Sequence, residues 1–116
     1  MKHEMRLKDD PFFKIREGKK TIELRLLDEK RRRISKGDTI EFSRTSGGVE
    51  RITVRVVKLH VFDSFRSLYE SLPLEKCGYE QDATINAKAS DMDAYYSPEE
   101  QCRHGVVGIE FVVLEK

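Results

Sequence analysis

The chain has 116 residues, of which 37% are charged and 38% are hydrophobic. A sequence of this length is expected to form one domain over residues 1–116, with a core that needs neither metal nor disulfide support. It contains no apolar run near the roughly 20 residues that cross a bilayer, and its first residues lack the apolar stretch of a signal peptide. Cys77 and Cys102 have neither disulfide nor zinc spacing, which indicates a reducing compartment and no bound metal. We therefore expect a soluble, cytoplasmic protein with no membrane segment and no cofactor.

The net charge of +1 hides an uneven distribution along the chain. Residues 1–58 carry 17 Lys and Arg against 10 Asp and Glu, a balance of +7, whereas residues 59–116 carry 5 against 11, a balance of −6. This asymmetry indicates a positive region able to meet a polyanion. The alternative is that the two halves attract each other in the fold, or that both are simply solvated.

The first third of the chain is predicted to form a strand, a short helix and a second strand. Residues 1–7 alternate weakly and favour a strand. The helix follows, with Asp10 as its cap and Pro11 at its first position, and it ends at Gly18. From Thr21 onward, apolar and polar residues alternate as in a half-buried strand, with one face in the core.

The middle of the chain is predicted to hold a charged turn and a hairpin. Residues 28–33 place acidic residues before basic ones, which favours a short helical turn. Residues 39–42 and 51–62 alternate as strands, joined by the loop at residues 45–48. The β-branched and aromatic residues at 57–62 indicate burial on both sides.

The second half is predicted to be mainly helical before a final strand. The predicted elements are a helix over residues 63–72 capped by Asp63, a helical stretch at residues 85–89, a helix from residue 97 to Gly105, and a strand over residues 106–114. Ser97 and Glu100 flank Pro98 with the spacing of a capping box. Gly108 indicates a bulge or a close backbone approach in the last strand.

The order of elements predicts the fold class. Strand, helix, three strands, helices and strand do not alternate as a doubly wound fold does. This order suits an α+β fold, a small mixed or antiparallel β-barrel with short helices, whose strands are interrupted by one helical excursion.

One stretch, Gly18-Lys19-Lys20-Thr21-Ile22-Glu23-Leu24-Arg25, gathers charge at the start of the second strand. Glu23 and Arg25 share one face of this strand, roughly 6–7 Å apart along it. Lys20 precedes them, so a cation, a carboxylate and a guanidinium converge. They form either a ligand site or a structural ion pair that fixes the register of the barrel, in which Lys20 only neutralises Glu23.

The motif Gly18-x-Lys20-x-x-Glu23-x-Arg25, followed by Lys36-Gly37-Asp38-x-Ile40, resembles the signature of the ASCH domain (activating signal cointegrator homology), a branch of the PUA-like superfamily. Asp63-Ser64-Phe65 resembles the start of the family's helix after the long strand, and residues 95–109 resemble its last helix and strand. This resemblance implies a PUA-like β-barrel of five or six strands, with helices at its ends and a cleft that contains the polar face of the motif. It also implies RNA, or a nucleotide-derived ligand, as the partner.

The first functional hypothesis is that the domain binds RNA or a modified nucleoside. The candidate ligand-binding residues are Lys19, Lys20, Thr21, Glu23, Arg25, Tyr95 and Tyr96. Lys20 and Arg25 would contact phosphate or a base edge, residues 30–33 with Lys36 would extend the electrostatic reach, and a tyrosine would stack on an unpaired base. Taken alone, a run such as residues 30–33 is more typical of a solvated turn. The acidic second half favours a short or single-stranded target over duplex RNA.

The second hypothesis is a small hydrolase with Lys20 and Glu23 as catalytic residues. Some compact members similar to this chain are amidohydrolases on acetylated cytidine, and use a lysine, a threonine three residues later and a downstream glutamate. Here Glu23 occupies the threonine position, and Glu70 and Glu75 are both candidates for the downstream glutamate. A ribonuclease using Lys20, Glu23 and Arg25 as acid, base and phosphate clamp is the other catalytic alternative.

Overall fold

Five strands form one curled sheet in the part of the chain that the computed structural model describes, residues 1–79 and 88–116. The strands are β1 (Lys2–Leu7), β2 (Ile22–Leu26), β3 (Thr39–Arg44), β4 (Ile52–Phe62) and β5 (Val106–Glu115). The α-helices are α1 (Asp9–Arg16), α2 (Glu29–Arg32), α3 (Phe65–Ser71) and α4 (Pro98–His104), and 3-10 helices span Leu74–Cys77 and Ala89–Ala94. Within these residues, no helix has the length and apolar character required to cross a bilayer.

The sheet has the order β1-β3-β4-β5-β2 and mixed strand directions. β1 runs parallel to β3, whereas the other three pairs are antiparallel. β1 and β2 are the edges, and the guanidinium of Arg25 on β2 donates a hydrogen bond to the Arg6 carbonyl on β1 at 2.9 Å. The predicted α+β class, the mixed sheet and the strand number are confirmed, and the sheet curls into a half-barrel.

Local signals place α1 and the turn after it. The predicted cap at Asp10 is wrong, because the helix begins at Asp9 and the capping position is Lys8, which makes no side-chain cap bond. Asp9 and Asp10 lie in the first turn, where carboxylates are favourable near the positive end of the helix dipole. Gly18 takes a φ of +81°, which only glycine adopts without strain, and turns the chain toward β2.

The two later α-helices each begin directly after a serine that caps them. Ser64, rather than the predicted Asp63, caps α3 with its hydroxyl. Ser97 and Glu100 form the predicted capping box at the start of α4. The helical stretch predicted at residues 85–89 lies mostly outside the described residues, and its last residue, Ala89, begins a 3-10 helix.

β2 is buried on both faces, which corrects the prediction of a half-buried strand. Ile22 and Leu24 pack against α3 and the 3-10 helices in one hydrophobic cluster. Glu23 and Arg25 lie opposite Ile109 and Val107, two residues of the main core inside the curl. Because directly opposed residues share a face of the sheet, the polar side chains of β2 point into the curl.

The long β4–β5 pair departs from one prediction and supports another. Residues 57–62 are not buried on both sides, since Val61 is 58% exposed. A Cβ at Gly108 would lie 2.8 Å from Leu72 Cδ1, so this glycine permits the predicted close approach. The register irregularities lie elsewhere in the ladder, one of them between Val56 and Lys58.

Candidate functional site

Lys20, Glu23 and Arg25 meet in one buried cluster. Lys20 Nζ lies 2.8 Å from Glu23 Oε1, and Arg25 Nε donates to Glu23 Oε2 at 2.9 Å. Lys20 is only 9% exposed and Glu23 only 5%. The spacing of the motif produces this arrangement, because β2 holds Glu23 and Arg25 two positions apart while the turn at Gly18 delivers Lys20.

The electrostatics of the cluster favour the charged forms of Glu23 and Arg25. Burial alone would raise the pKa of Glu23, but the charges of Lys20 and Arg25 outweigh burial and hold this pKa below its ordinary value. Burial would likewise lower the pKa of Arg25, and the Glu23 carboxylate reverses that effect and raises it. With two cations and one carboxylate, the cluster carries one net positive charge.

A cleft of about 630 Å³ opens beside the cluster. One side comes from the connection between β1 and α1, and the other from the 3-10 helices and the tyrosines that follow. The lining residues include Arg6, Leu7, Lys8, Pro11, Lys14, Lys20, Glu23, Arg25, Tyr69, Cys77, Gly78, Tyr79, Asp91, Met92, Tyr95 and Tyr96. The three charged groups are therefore buried within the protein but border an open space large enough for a ligand.

The aliphatic part of the Lys20 side chain packs close to the backbone of Gly78. Gly78 has a φ of +105°, and a Cβ at this position would lie 3.2 Å from Lys20 Cδ. Lys14 Nζ on α1 donates to the Gly78 carbonyl at 2.7 Å. The helix and the end of the Leu74–Cys77 segment thus enclose the lysine between them.

A hydrogen-bonded chain of two tyrosine hydroxyls and one carboxylate lines part of the cleft. The hydroxyls of Tyr69 and Tyr79 lie 2.6 Å apart, and Tyr79 donates to Asp91 Oδ2 at 3.0 Å. Burial raises the pKa of Tyr79, which favours the protonated hydroxyl that donates this bond. The sequence analysis missed these three residues as a group, since their separations match no local motif and Tyr69 has helical spacing typical of a core residue.

The two predicted stacking tyrosines have different surroundings. Tyr95 is 60% exposed, and Lys8 Nζ lies 5.1 Å from its ring centroid. Tyr96 is half-buried and stacks on Phe65, with ring centroids 6.1 Å apart. Burial raises the pKa of Tyr96, and the nearby positive charge of Arg25 opposes this rise. Tyr95 therefore has the accessible ring, whereas Tyr96 supports the cluster.

Several predicted site residues lie outside the cleft lining. Lys19 is exposed and pairs with Glu17 at 3.3 Å. Thr21 donates its backbone N–H to the Lys76 carbonyl. Neither Glu70 nor Glu75 lines the cleft, and both are exposed.

Most of the basic run at residues 30–33 is engaged within the protein. Arg31 pairs with Asp28 at 2.9 Å, and Arg33 pairs with Glu29 at 3.3 Å. The Arg32 guanidinium donates to a backbone carbonyl on α4. Across residues 1–79 and 88–116, no three His, Cys, Asp or Glu side chains group as metal ligands.

Comparison with known proteins identifies the family. The sequence matches the family model of the ASCH domain over residues 2–115. The crystal structure of the hypothetical protein PH0355 is similar with a TM-score of 0.82 and 35% identity, covering 98% of this chain and 100% of that one. The solution structure of protein PF0455 from Pyrococcus furiosus is similar with a TM-score of 0.71 and 36% identity over 100% of both chains. No protein of curated function matches the sequence. The match of the family model across nearly all of the chain, together with these two structural similarities, places the protein in the ASCH domain family.

Proposed function

We propose that the protein binds single-stranded RNA, or a modified nucleoside derived from it, in the cleft beside Lys20, Glu23 and Arg25. The observation that carries this proposal is a buried cluster with net positive charge that borders an open cleft of about 630 Å³. The ASCH fold resembles folds that bind RNA, which favours a nucleic acid as the class of partner.

The cluster can donate hydrogen bonds to a ligand. An ammonium has three N–H donors and a guanidinium has five, and Glu23 accepts only some of those of Lys20 and Arg25. The remaining donors suit carbonyl oxygens of a base or oxygens of a phosphate. The exposed ring of Tyr95 offers a surface on which an unpaired base can stack.

The dimensions and charge of the cleft favour one unpaired nucleotide over a duplex. Cavities that hold small ligands have volumes of about 300–1,000 Å³, and the cleft falls in this range. A duplex presents its bases only at groove edges, so it cannot place one against Tyr95. The acidic second half of the chain also disfavours a long polyanion.

The hydrolase alternative has less support from the contacts. Glu23 stands where the amidohydrolase pattern has threonine, and both of its carboxylate oxygens are engaged by cations. Neither Glu70 nor Glu75 reaches the cleft to act as the downstream glutamate. Release of acetate from acetylated cytidine by the wild-type protein would nevertheless replace binding by catalysis as the function.

The adjacent residues Lys19 and Lys20 allow a matched test of RNA binding in the cleft. We expect a fluorescently labelled single-stranded RNA of about eight nucleotides to bind more tightly than its duplex. Lys20→Ala is expected to weaken binding at least about tenfold, because the site loses a buried charged donor. Lys19→Ala removes the same charge from an exposed position outside the cleft and is expected to change binding much less.

A second variant separates binding from folding. Tyr95→Ala leaves the buried cluster intact, and loss of one base–aromatic stack is expected to weaken binding by about 1–3 kcal/mol. Anisotropy titrations measure binding, and circular dichroism confirms that each variant is folded. Equal effects of Lys20→Ala and Lys19→Ala, together with unchanged binding by Tyr95→Ala, would refute a site in this cleft.

A further inference from the structure

A second cavity, of about 470 Å³, adjoins the cleft at Arg6 and Arg25, which line both spaces. The cations that line it are Arg6, Arg25, Lys30, Arg31 and Arg51. Its lining includes two carboxylates, Glu4 and Glu41, and no aromatic residue. The two spaces therefore differ in chemistry, since tyrosines line the cleft whereas guanidinium and ammonium groups line the second cavity.

The positive charge of the second cavity survives when the neighbouring ion pairs are included. Five cations against two carboxylates leave an excess of three positive charges. The ion-pair partners of these groups reduce that excess to two, because Lys2 adds one positive charge while Glu23 and Asp28 add two negative ones. An excess of this size, within a concave surface, concentrates the potential that attracts an anion.

The side chains that line this cavity come from two directions. Glu4 and Arg6 lie on the face of β1 opposite the buried Met5, and the parallel ladder sets them beside Glu41 and Ser43 of β3. α2 contributes Lys30 and Arg31 from the other side.

Two donors in the cavity have capacity for a ligand. Arg31 lines the cavity and pairs with Asp28 through Nη1, which leaves its Nη2 without a hydrogen bond among the described residues. Lys30 is exposed and forms no ion pair within residues 1–79 and 88–116. Guanidinium groups present paired N–H donors that match the oxygens of phosphate.

We propose that the second cavity binds a phosphate of the same ligand whose base occupies the cleft, so that a nucleotide chain crosses between the two spaces at Arg6 and Arg25. This inference rests on the proposed function, and it narrows the ligand from a free nucleoside to a phosphorylated nucleotide or an RNA strand. The shared chemistry is a phosphate ester, either a terminal monoester or a diester within a strand.

Calorimetric titration distinguishes these ligands. The probes are the common ribonucleosides, their 3′- and 5′-monophosphates, inorganic phosphate, and single-stranded RNA of about eight nucleotides. At least one monophosphate is expected to bind about tenfold tighter than its nucleoside, through one charge-assisted phosphate contact. Preference for a terminal phosphate identifies a monoester ligand, whereas tighter binding by the RNA identifies a strand.

Lys30→Gln is the decisive variant, since Lys30 lines only the second cavity and is exposed. It is expected to remove the advantage of the monophosphate while leaving nucleoside binding unchanged. It is also expected to lower by about one the slope of log affinity against log salt for the RNA. Lys58→Gln is the matched control, because Lys58 is an exposed cation on β4 that lines neither space.

The outcomes separate this inference from the proposed function. Equal affinity for nucleosides and monophosphates, or an unchanged salt slope in Lys30→Gln, overturns the phosphate site while leaving binding in the cleft intact. Binding of inorganic phosphate as tightly as any nucleotide would show an isolated anion site and also overturns the inference. If no nucleoside, nucleotide or RNA binds, both the proposed function and the phosphate site fall.

Discussion

Glu23 and Glu50 each lie between two cations, and of these two clusters only that of Glu23 borders the cleft. Glu23 lies between Lys20 and Arg25, and its side chain is 6% exposed. Glu50 contacts Arg16 and Arg44, and its side chain is 37% exposed. The charge composition of the two clusters is the same, so their difference lies in their surroundings.

The Glu50 cluster connects surface elements. Arg16 is the last residue of α1, and Arg44 is the last residue of β3, so Glu50 ties the helix to the hairpin loop. The guanidinium of Arg44 also lies over the rings of Phe12 and Phe13, at 5.9 and 5.4 Å. Such a cluster needs little compensation for lost hydration, because water still reaches the carboxylate.

The Glu23 cluster has lost most of its hydration. Burying three ionised groups is unfavourable unless each finds a partner, and the single carboxylate must satisfy both cations. The excess cation borders an open cleft rather than bulk solvent. The comparison teaches that burial beside a cavity distinguishes the candidate site, whereas the residue types and their charges do not.

The largest expected difference between the clusters concerns stability. Glu23→Ala leaves two buried cations without a counter-charge, so we expect it to lower the free energy of unfolding by about 3–5 kcal/mol. Glu50→Ala removes a solvated ion-pair partner and is expected to lower it by about 0–1 kcal/mol. Urea denaturation of the two variants and the wild type measures both values.

Salt sharpens this comparison. In about 1 M sodium chloride, the effect of Glu50→Ala should shrink further, because exposed charges are screened over about 3 Å. The effect of Glu23→Ala should persist, since buried pairs are screened much less. Similar losses for the two variants at low salt would contradict the distinction between a buried cluster and a surface one.

Acid should weaken the buried cluster in a defined direction. The pKa of Glu23 is lower in the folded protein than its ordinary value of 4.5, so folding is favoured by the ionised carboxylate. That contribution is fully present above the unfolded pKa and is lost as the pH falls through the folded pKa. We therefore expect the stability of the wild type to fall below about pH 4.5, and that of Glu23→Gln to fall less steeply.

Urea midpoints measured from pH 7 down to about pH 3 test the acid prediction. The informative quantity is the difference between wild type and Glu23→Gln, because acid protonates other carboxylates in both proteins. This difference should narrow as the pH decreases. A constant difference across the series would mean that Glu23 does not supply the acid-sensitive contribution.

Much of the fold follows from signals that act within a few residues. The capping box at Ser97 and Glu100 marks the start of α4, and the glycine at position 18 marks the turn before β2. The convergence of Lys20, Glu23 and Arg25 also follows from local spacing on one strand. These features were predictable because each depends on neighbours in the sequence.

Other features depend on contacts between distant segments and were not predictable. The polar face of β2 is buried because the sheet curls and sets Glu23 and Arg25 beside Ile109 and Val107 of β5, which belong to the main core. The hydrogen-bonded chain of Tyr69, Tyr79 and Asp91 likewise forms only when the tertiary fold brings these three side chains together. Local charge patterning also cannot distinguish Lys30, which lines the second cavity, from Arg33, which pairs with Glu29.

A glycine beside each cluster gives a smaller expected loss of stability than Glu23→Ala. Gly78 has a φ of +105° beside Lys20, and Gly48 has a φ of +97° beside Arg44. Alanine is strained at such positions, so each Gly→Ala variant is expected to lose about 1–2 kcal/mol of unfolding free energy.

A Cβ at residue 78 would lie 3.2 Å from Lys20 Cδ and would shift the lysine, whereas one at residue 48 would meet the movable end of Arg44. Gly78→Ala should therefore also weaken binding of the single-stranded RNA, while Gly48→Ala should leave it unchanged. Equal RNA affinity in the two variants, at matched loss of stability, would mean that the position of Lys20 does not control binding.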